Sequence, residues 1–500
     1  MTAPAQSTVI DWLKNGAAWG KKPDIAETHA ALVFLVGDRA YKLKKGVDLG
    51  YLNFTTLESR RETLERELEL NRRTAPSLYL QTLPISLSAR GELNLTGEGA
   101  AIDWLLEMRR FPDDALLSTR AARGQLTEAI IESLAEHIAA FHDAADLVPT
   151  DWPTAVARIA GENTADLRSQ SILISSALIE AAITARESCA NSCVQQLGAQ
   201  SSDVRRCHGD MHLGNVFLDD GKPTLFDCIE FDDFYATIPP LYDIAFLLMD
   251  LMARGQGRLA NRALNAWLIH SDVKCWREIA ESLQALPLYL ALRAEIRAKT
   301  EARKPGGRAS ACHYLELTRQ FAVNQPPRLV AVGGFSGTGK SSVAKEIAWR
   351  LGSPPGAVHL RSDEIRKRLA GVSLDQRLPQ SEYARAKSAE TYAALESLAR
   401  SALTAGTTLV VDAVFAREEE RQAMHAIAQR AGTPFVGVWL EAPRDILERR
   451  LSSRSGDVSD ADVAVLRQQL TYDLGHMTWH HVDARGDLAA TAKNVMRHLA

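Results

Sequence analysis

Cysteine is scarce and dispersed. The six residues, Cys189, Cys193, Cys207, Cys228, Cys275 and Cys312, are too few and too scattered for a disulfide framework. They read as reduced thiols of a cytosolic protein. Cys189 and Cys193 stand four apart, but no His/Cys pair lies near them to complete a metal site. A basic surplus is also missing: 58 Lys+Arg against 62 Asp+Glu leave a net charge of −4. A general nucleic-acid binder carries a markedly basic balance instead. Long apolar runs are absent too. The most apolar stretch, residues 244–252, is about half a membrane span and contains Asp250. The first residues lack the basic and apolar regions of a signal peptide, and there is no repeat or low-complexity tract. A soluble cytoplasmic protein without a membrane partner is expected. With 46% apolar and 24% charged residues the composition is that of a globular chain.

At roughly 100–200 residues per domain, 500 residues hold about three folding units. Pro326-Pro327 ends a helical pattern over 312–323, and a strand pattern starts at once. The boundary is therefore placed there, giving domains 1–324 and 326–500. The net charge is +3 from Pro326 onward and −7 before it, so neither half is extreme. In the first half, 31–36 and 40–44 read as strands joined at Gly37-Asp38, 57–73 as a charged amphipathic helix, and 78–87 and 102–109 as strands. Residues 125–193 and 241–323 read as helical, around a strand-and-loop core over 204–231. This gives a small lobe (about 25–110) and a large lobe (about 111–324), an α+β two-lobed arrangement. The second half alternates strands at 329–333, 357–361, 407–412, 435–440 and 480–483 with helices. That is the pattern of an α/β domain with a five-stranded parallel sheet covered on both faces.

Gly334-Phe335-Ser336-Gly337-Thr338-Gly339-Lys340-Ser341 fits the G-x-x-x-x-G-K-[ST] spacing, between an apolar strand and a helix. The glycines let backbone N–H groups converge on phosphate oxygens, and the helix N-terminus favours the negative charge. Lys340 is expected on the β/γ-phosphates of ATP and Ser341 on Mg²⁺. Asp412, ending an apolar strand, is suited to orienting hydrated Mg²⁺, or else caps the next helix. Asp363 and Arg366, three apart at a helix start, fit a base for a substrate hydroxyl and a cation that holds the acceptor, or an N-cap beside a solvated arginine. Arg450 and Arg454, four apart, either neutralise a transferring phosphoryl group from a mobile lid or form a solvated face. On these motifs residues 328–500 resemble the small P-loop kinases of the nucleoside-monophosphate-kinase type, including gluconate-kinase-like, zeta-toxin-like and polynucleotide-kinase-like enzymes.

A second constellation runs His208-Gly209-Asp210-Met211-His212-Leu213-Gly214-Asn215, then a hairpin turn at Asp219-Asp220-Gly221, then Asp227 and Glu230. An Asp five residues before an Asn, with a further Asp beyond a hairpin, is the order that phosphoryl transfer uses in protein kinases. It resembles the aminoglycoside-phosphotransferase-like and choline-kinase-like branch, where His-Gly-Asp replaces His-Arg-Asp. The resemblance implies Asp210 as base, Asn215 and Asp227 as Mg²⁺ ligands, His208 packing the loop and Asp243 bracing it. It leaves His212 undecided, and Glu230 either a second metal carboxylate or a surface one. Ala40-Tyr41-Lys42 resembles the Ala-x-Lys strand of kinases. Lys44 shares its face and is an alternative. Glu67 is the helix partner, with Glu65 and Glu69 as close rivals. No G-x-G-x-x-G precedes this strand. Arg293 and Arg297, four apart on a helix, are expected on a solvated face.

The whole chain resembles a bacterial family that joins an aminoglycoside-phosphotransferase-like domain to a P-loop kinase domain. The resemblance implies a bifunctional ATP- and Mg²⁺-dependent phosphotransferase acting on hydroxyls of small-molecule acceptors. Rival readings are a 5′-hydroxyl polynucleotide kinase in the P-loop half, or a regulatory, toxin-like nucleotide-binding module whose first half does not transfer. A nucleic-acid acceptor is not expected from the charge. The sequence names neither acceptor and no oligomeric state.

Overall fold

The computed structural model describes residues 5–28, 30–48, 52–271, 282–323, 325–453 and 458–499. They form two compact units, each drawn from separate stretches of chain. One comprises Met1–His137, Ala144–Pro149 and Asp203–Asp243; the other comprises Ile138–Asp143, Thr150–Ser202 and Ile244–Ala500.

The first unit is built on a six-stranded antiparallel sheet, in the order Asp24–Glu27, Ala31–Val36, Arg39–Lys44, Ala100–Arg109, Tyr79–Leu87, Leu93–Asn94. The first and last of these strands, and the helix Gln6–Lys14, were not read from the sequence. The hairpin Ala31–Val36/Arg39–Lys44 turns at Gly37-Asp38 as expected. Helix Leu57–Asn71 starts where the Thr56 hydroxyl accepts the Ser59 N–H. Its buried residues are Arg60, Leu64, Glu67, Leu70 and Asn71, where steps of three and four from Arg60 through Glu67 to Leu70 and Asn71 mark a stripe on one helix face. Leu64 joins Leu78, Tyr79, Leu106 and Phe217 in a core cluster, so burial of that stripe aims Glu67 inward. The hairpin Val216–Asp219/Lys222–Leu225 closes through Asp220 and Gly221, both at positive φ, the demand of a type I′ turn.

In the second unit, helices Leu286–Ala302 and Arg308–Phe321 pack against each other and against Trp152–Ser169 and Ser176–Ser192. Arg293 is 3% exposed and lies over the Phe246 ring, while Arg297 lies over Tyr314 and pairs with Glu301 at 2.8 Å. The expected solvated stripe is thus a packed one, because an arginine stem and its flat guanidinium bury well against aromatic faces. The same unit holds an all-parallel sheet, in the order Val358–Arg361, Leu409–Asp412, Leu329–Gly333, Phe435–Glu441, His480–Asp483. Strands Leu329–Gly333 and Leu409–Asp412 are buried throughout, as expected where helices cover both faces. Helix Lys340–Ala348 packs with helix Leu488–Arg497 through a cluster that includes Val330, Val343, Ile347 and Val495.

Candidate functional site

In the first unit, strand alternation puts Lys42 and Lys44 on one face, and both meet the inward-facing Glu67. Lys42 Nζ lies 2.7 Å from Glu67 Oε1 and 2.8 Å from Asp227 Oδ1. Lys44 Nζ lies 2.8 Å from Glu67 Oε2 and 2.6 Å from Glu230 Oε1. The rivals for the helix position drop away: Glu65 pairs with Arg61 and Glu69 with Arg66 at the surface, whereas Glu67 is 0% exposed. Only Lys42 of the two lysines contacts Asp227. Burial works against the Lys42 charge, but Asp227, Glu67 and Glu230 outweigh it and raise its pKa well above the ordinary lysine range. Burial likewise pushes Asp227 upward, yet Lys42 wins and holds the carboxyl below its usual value. Glu230 is not a surface carboxylate. Its side chain is 9% exposed, and burial raises its pKa against the pull of Lys44.

The loop before the hairpin is held from behind. Asp243, in the first turn of helix Pro240–Ala253, accepts the His208 and Gly209 N–H groups, each at 2.9 Å. Gly209 sits at φ 86°, and a Cβ there would lie 3.0 Å from the Tyr235 carbonyl oxygen, so the tight turn needs glycine. Burial lowers the His208 pKa. Its Nδ1 accepts the Asp210 N–H, which leaves Nε2 to donate to the Phe226 carbonyl at 3.0 Å. Asn215 Nδ2 donates to Asp210 Oδ2 at 2.9 Å, and His212 Nε2 stands 3.5 Å from the same oxygen. Asp210 and Asp227 keep 37% and 43% of their side chains exposed, although the groups that fix them are buried. Asp227 itself is pinned at φ 60°, with its N–H given to the Tyr79 hydroxyl at 3.1 Å.

Two fixing residues escaped the sequence reading. Asn71 Oδ1 accepts the Cys228 N–H at 2.9 Å while its Nδ2 donates to the Glu67 carbonyl, so one side chain ties the Glu67 helix to the segment after Asp227. Its spacing of four from Glu67 was the available signal. Tyr79, 148 positions from Asp227, carried none.

In the second unit, the phosphate loop leaves strand Leu329–Gly333 and enters helix Lys340–Ala348 through Gly339 at φ 83°. Gly337 has φ 85°, and a Cβ there would stand 2.8 Å from the Leu447 carbonyl oxygen. Ser341 Oγ donates to Asp412 Oδ2 at 2.6 Å, so Asp412 faces the loop. His359 Nε2 lies 2.5 Å from the other oxygen, Asp412 Oδ1. Burial opposes the Asp412 charge, but His359, Arg361 and the Ser341 hydroxyl lower its pKa. The Ser336 N–H of the loop donates to Gln469 Oε1 at 2.8 Å. Gln469 and His359 were also missed. Arg450, on helix Arg444–Ser452, reaches the carbonyls of Gly337 at 3.5 Å and Gly486 at 3.1 Å, which puts its guanidinium beside the loop. Arg454 lies outside the described residues. Asp363 and Arg366 share helix Ser362–Leu369. Arg366 is 9% exposed, donates to the Glu382 carbonyl at 2.8 Å and stacks over Tyr383. The Tyr383 hydroxyl in turn meets Asp460, which also lies 3.3 Å from Lys367 Nζ.

The donors at both places suit a small hard cation. Asp227, Asn215 and Asp210 in one unit, and Ser341 with Asp412 in the other, offer oxygens, the ligands that Mg²⁺ takes in phosphoryl-transfer sites. Among the described residues no helix is long and apolar enough to cross a membrane.

Residues 36–281 match a family model described as a phosphotransferase enzyme family, and residues 329–472 match one described as an AAA domain. Uncharacterised proteins of Mycobacterium tuberculosis and Mycobacterium bovis are 29% identical over 478 residues, 91% of this chain and 91% of theirs. Among solved structures, a sugar kinase from Janibacter sp. HTCC2649 covers 35% of this chain and 95% of its own at 18% identity and a TM-score of 0.28. A gluconokinase from Sinorhizobium meliloti 1021 covers 35% and 93% at 23% identity and 0.25. The two assembled sites lie within the stretches matched by the family models, so the chain joins a match to the phosphotransferase enzyme family, over residues 36–281, to a match to an AAA domain, over residues 329–472, that carries the phosphate loop.

Proposed function

We propose that the chain is a bifunctional ATP-dependent phosphotransferase, each of whose two sites passes the γ-phosphoryl group of ATP to a hydroxyl of a small-molecule acceptor in the cytoplasm. The observation that supports the reading is that each half gathers a lysine or hydroxyl and a carboxylate of the kind such a site would use. Lys42 bridges Glu67 and Asp227 in one, and the Ser341 hydroxyl rests on Asp412 in the other.

In the first site Lys42, held by Glu67, is placed to pair with the nucleotide phosphates. Asp210, oriented by Asn215, accepts the proton of the acceptor hydroxyl as its oxygen attacks phosphorus. Asn215 and Asp227 would hold Mg²⁺. In the second site the loop amides and Lys340 would cradle the phosphates, and Ser341 with Asp412 would hold Mg²⁺. Asp363 takes the acceptor proton, Arg366 shapes the acceptor side together with Tyr383, and Arg450 lies against the nucleotide side of the loop. Bound there, Mg²⁺ would supply positive charge to offset the charge that develops on transfer.

The test is a screen of a metabolite pool with the full chain and ATP, reading phosphorylated products, repeated with Asp210→Asn and with Lys340→Ala. Two product sets, one lost in each variant, support two transferring sites. Loss of all products in Lys340→Ala with none lost in Asp210→Asn reduces the first half to a nucleotide-binding module. A product formed on polynucleotide 5′-hydroxyls, with a steep salt dependence, replaces the small-molecule reading of the second half.

A further inference from the structure

Among the described residues Val358–Arg361, one of the two edge strands of the parallel sheet, has a single strand neighbour. Its Val358 N–H points inward, to the Thr408 carbonyl. By the alternation of strand hydrogen bonds, the Ala357 carbonyl and the His359 N–H point out, and an open edge of this kind leaves them unpaired. Helix Gly257–His270 covers them. Asn265 Oδ1 accepts the His359 N–H at 2.7 Å while its Nδ2 donates to the Ala357 carbonyl at 3.3 Å. Its primary amide thus pairs as one residue of a missing strand would. Asn261, 0% exposed, donates to the same carbonyl at 3.0 Å. Arg262 reaches the Lys345 carbonyl at 3.1 Å, Arg258 pairs with Glu346 at 3.4 Å, and Arg368 donates back to the Leu268 carbonyl at 3.3 Å. The covering helix lies within the stretch matched by the phosphotransferase family, and the covered strand within the stretch matched by the AAA domain.

The pairing continues to the cation site. His359, whose backbone Asn265 holds, puts Nε2 2.5 Å from Asp412 Oδ1, and Asp412 Oδ2 takes the Ser341 hydroxyl at 2.6 Å. Both side chains are nearly closed to solvent, at 4% and 3%. A carboxylate has no donor of its own, so the imidazole N–H donates. Without it, Oδ1 would be buried without that donor and the carboxylate would lose the contact that fixes its rotation. Second contacts of this kind set the orientation of a cation-holding group.

We propose that Asn265 and His359 are positioning residues for the P-loop reaction: the helix from the phosphotransferase-family stretch fixes the strand, the strand fixes His359, and His359 orients Asp412 toward Ser341. The inference rests on the P-loop reading above and extends it to residues outside the P-loop stretch.

The experiment uses the full chain carrying Asp227→Ala, so that Mg²⁺-dependent binding of a fluorescent ATP analogue reports the P-loop site. His359→Ala is expected to raise the Mg²⁺ midpoint of that binding by roughly 10–100-fold, with His359→Gln, which keeps a donor, recovering part of it. Asn265→Ala is expected to speed amide hydrogen exchange at His359 at least about tenfold and to shift the Mg²⁺ midpoint in the same direction. Unchanged Mg²⁺ midpoints in both alanine variants, with a lowered melting temperature alone, would overturn the proposal and leave a structural edge cover. Lys340→Ala is the control. If it binds Mg²⁺·nucleotide as its parent does, the phosphate-loop reading itself is what fails.

Discussion

Lys42 and Lys44 share Glu67 yet stand in different second contacts, and that difference separates chemistry from stability. Lys44 is 4% exposed and holds Glu67, which is 0% exposed, and Glu230, whose side chain is 9% exposed. Lys44→Met keeps the stem but removes the ammonium. Glu67 retains Lys42, whereas Glu230 loses the cation 2.6 Å from it. Removing one partner of a buried pair costs about 3–5 kcal/mol. At about 1.4 kcal/mol per tenfold, the slowest amides of strand Arg39–Lys44 should exchange roughly a hundred- to several-thousand-fold faster. Adding Glu230→Gln removes the stranded charge and should recover a good part of that loss, giving a coupling of about 1–3 kcal/mol in the double-mutant cycle. Lys44→Met should still bind Mg²⁺·ATP at the first site, because Lys42 keeps Glu67 and Asp227. Lys42→Met should lose that binding. Native-state hydrogen exchange gives the first readout, and nucleotide titration in a Lys340→Ala background gives the second. Unchanged exchange in Lys44→Met would refute the buried-pair reasoning, and nucleotide binding that survives Lys42→Met but not Lys44→Met would exchange the roles of the two lysines.

Asn71→Ala strands the Cys228 N–H and should destabilise the first unit by about 1–3 kcal/mol while raising the nucleotide KM of the first site, read by exchange and initial rates. Asp210→Asn should keep Mg²⁺·ATP binding and cut transfer roughly 10²–10⁴-fold, whereas Asp227→Ala should lose the binding itself. Gly337→Ala sets a Cβ 2.8 Å from the Leu447 carbonyl oxygen at φ 85°, so P-loop nucleotide affinity should fall while the first site is untouched. Burial depresses the His208 pKa, so the unfolded chain takes up a proton there before the folded one does. The stability of the first unit should therefore be full above about pH 6.5 and decline as pH falls below it. His208→Gln should flatten that slope in exchange measured from pH 5 to 8.

Local demands were the legible ones. The phosphate loop, the Asp220-Gly221 turn and the strand that carries Lys42 are written in residues next to one another, because positive φ and strand alternation act over two or three positions. The parallel sheet was legible for a similar reason, since strands buried on both faces are continuous apolar runs. Glu67 was legible as the helix partner only against close rivals, because Glu65 and Glu69 carry the same charge and it is the stripe through Leu64 and Leu70 that turns Glu67 toward the lysines. Contacts between distant segments left no trace: Asn265 meets His359 across 94 positions and Lys42 meets Asp227 across 185. The packing of Arg293 was hidden by its type, since a lone arginine reads as solvated until the aromatic ring beside it is known.

The central claim is that one chain holds two separate sites for Mg²⁺·ATP, and binding stoichiometry tests it most directly. Calorimetric titration of the full chain with a non-hydrolysable ATP analogue and Mg²⁺ should give two equivalents per chain. It should give one in Asp227→Ala, one in Lys340→Ala and none in the double variant. A single equivalent in the wild type, removed completely by either variant alone, would contradict the account.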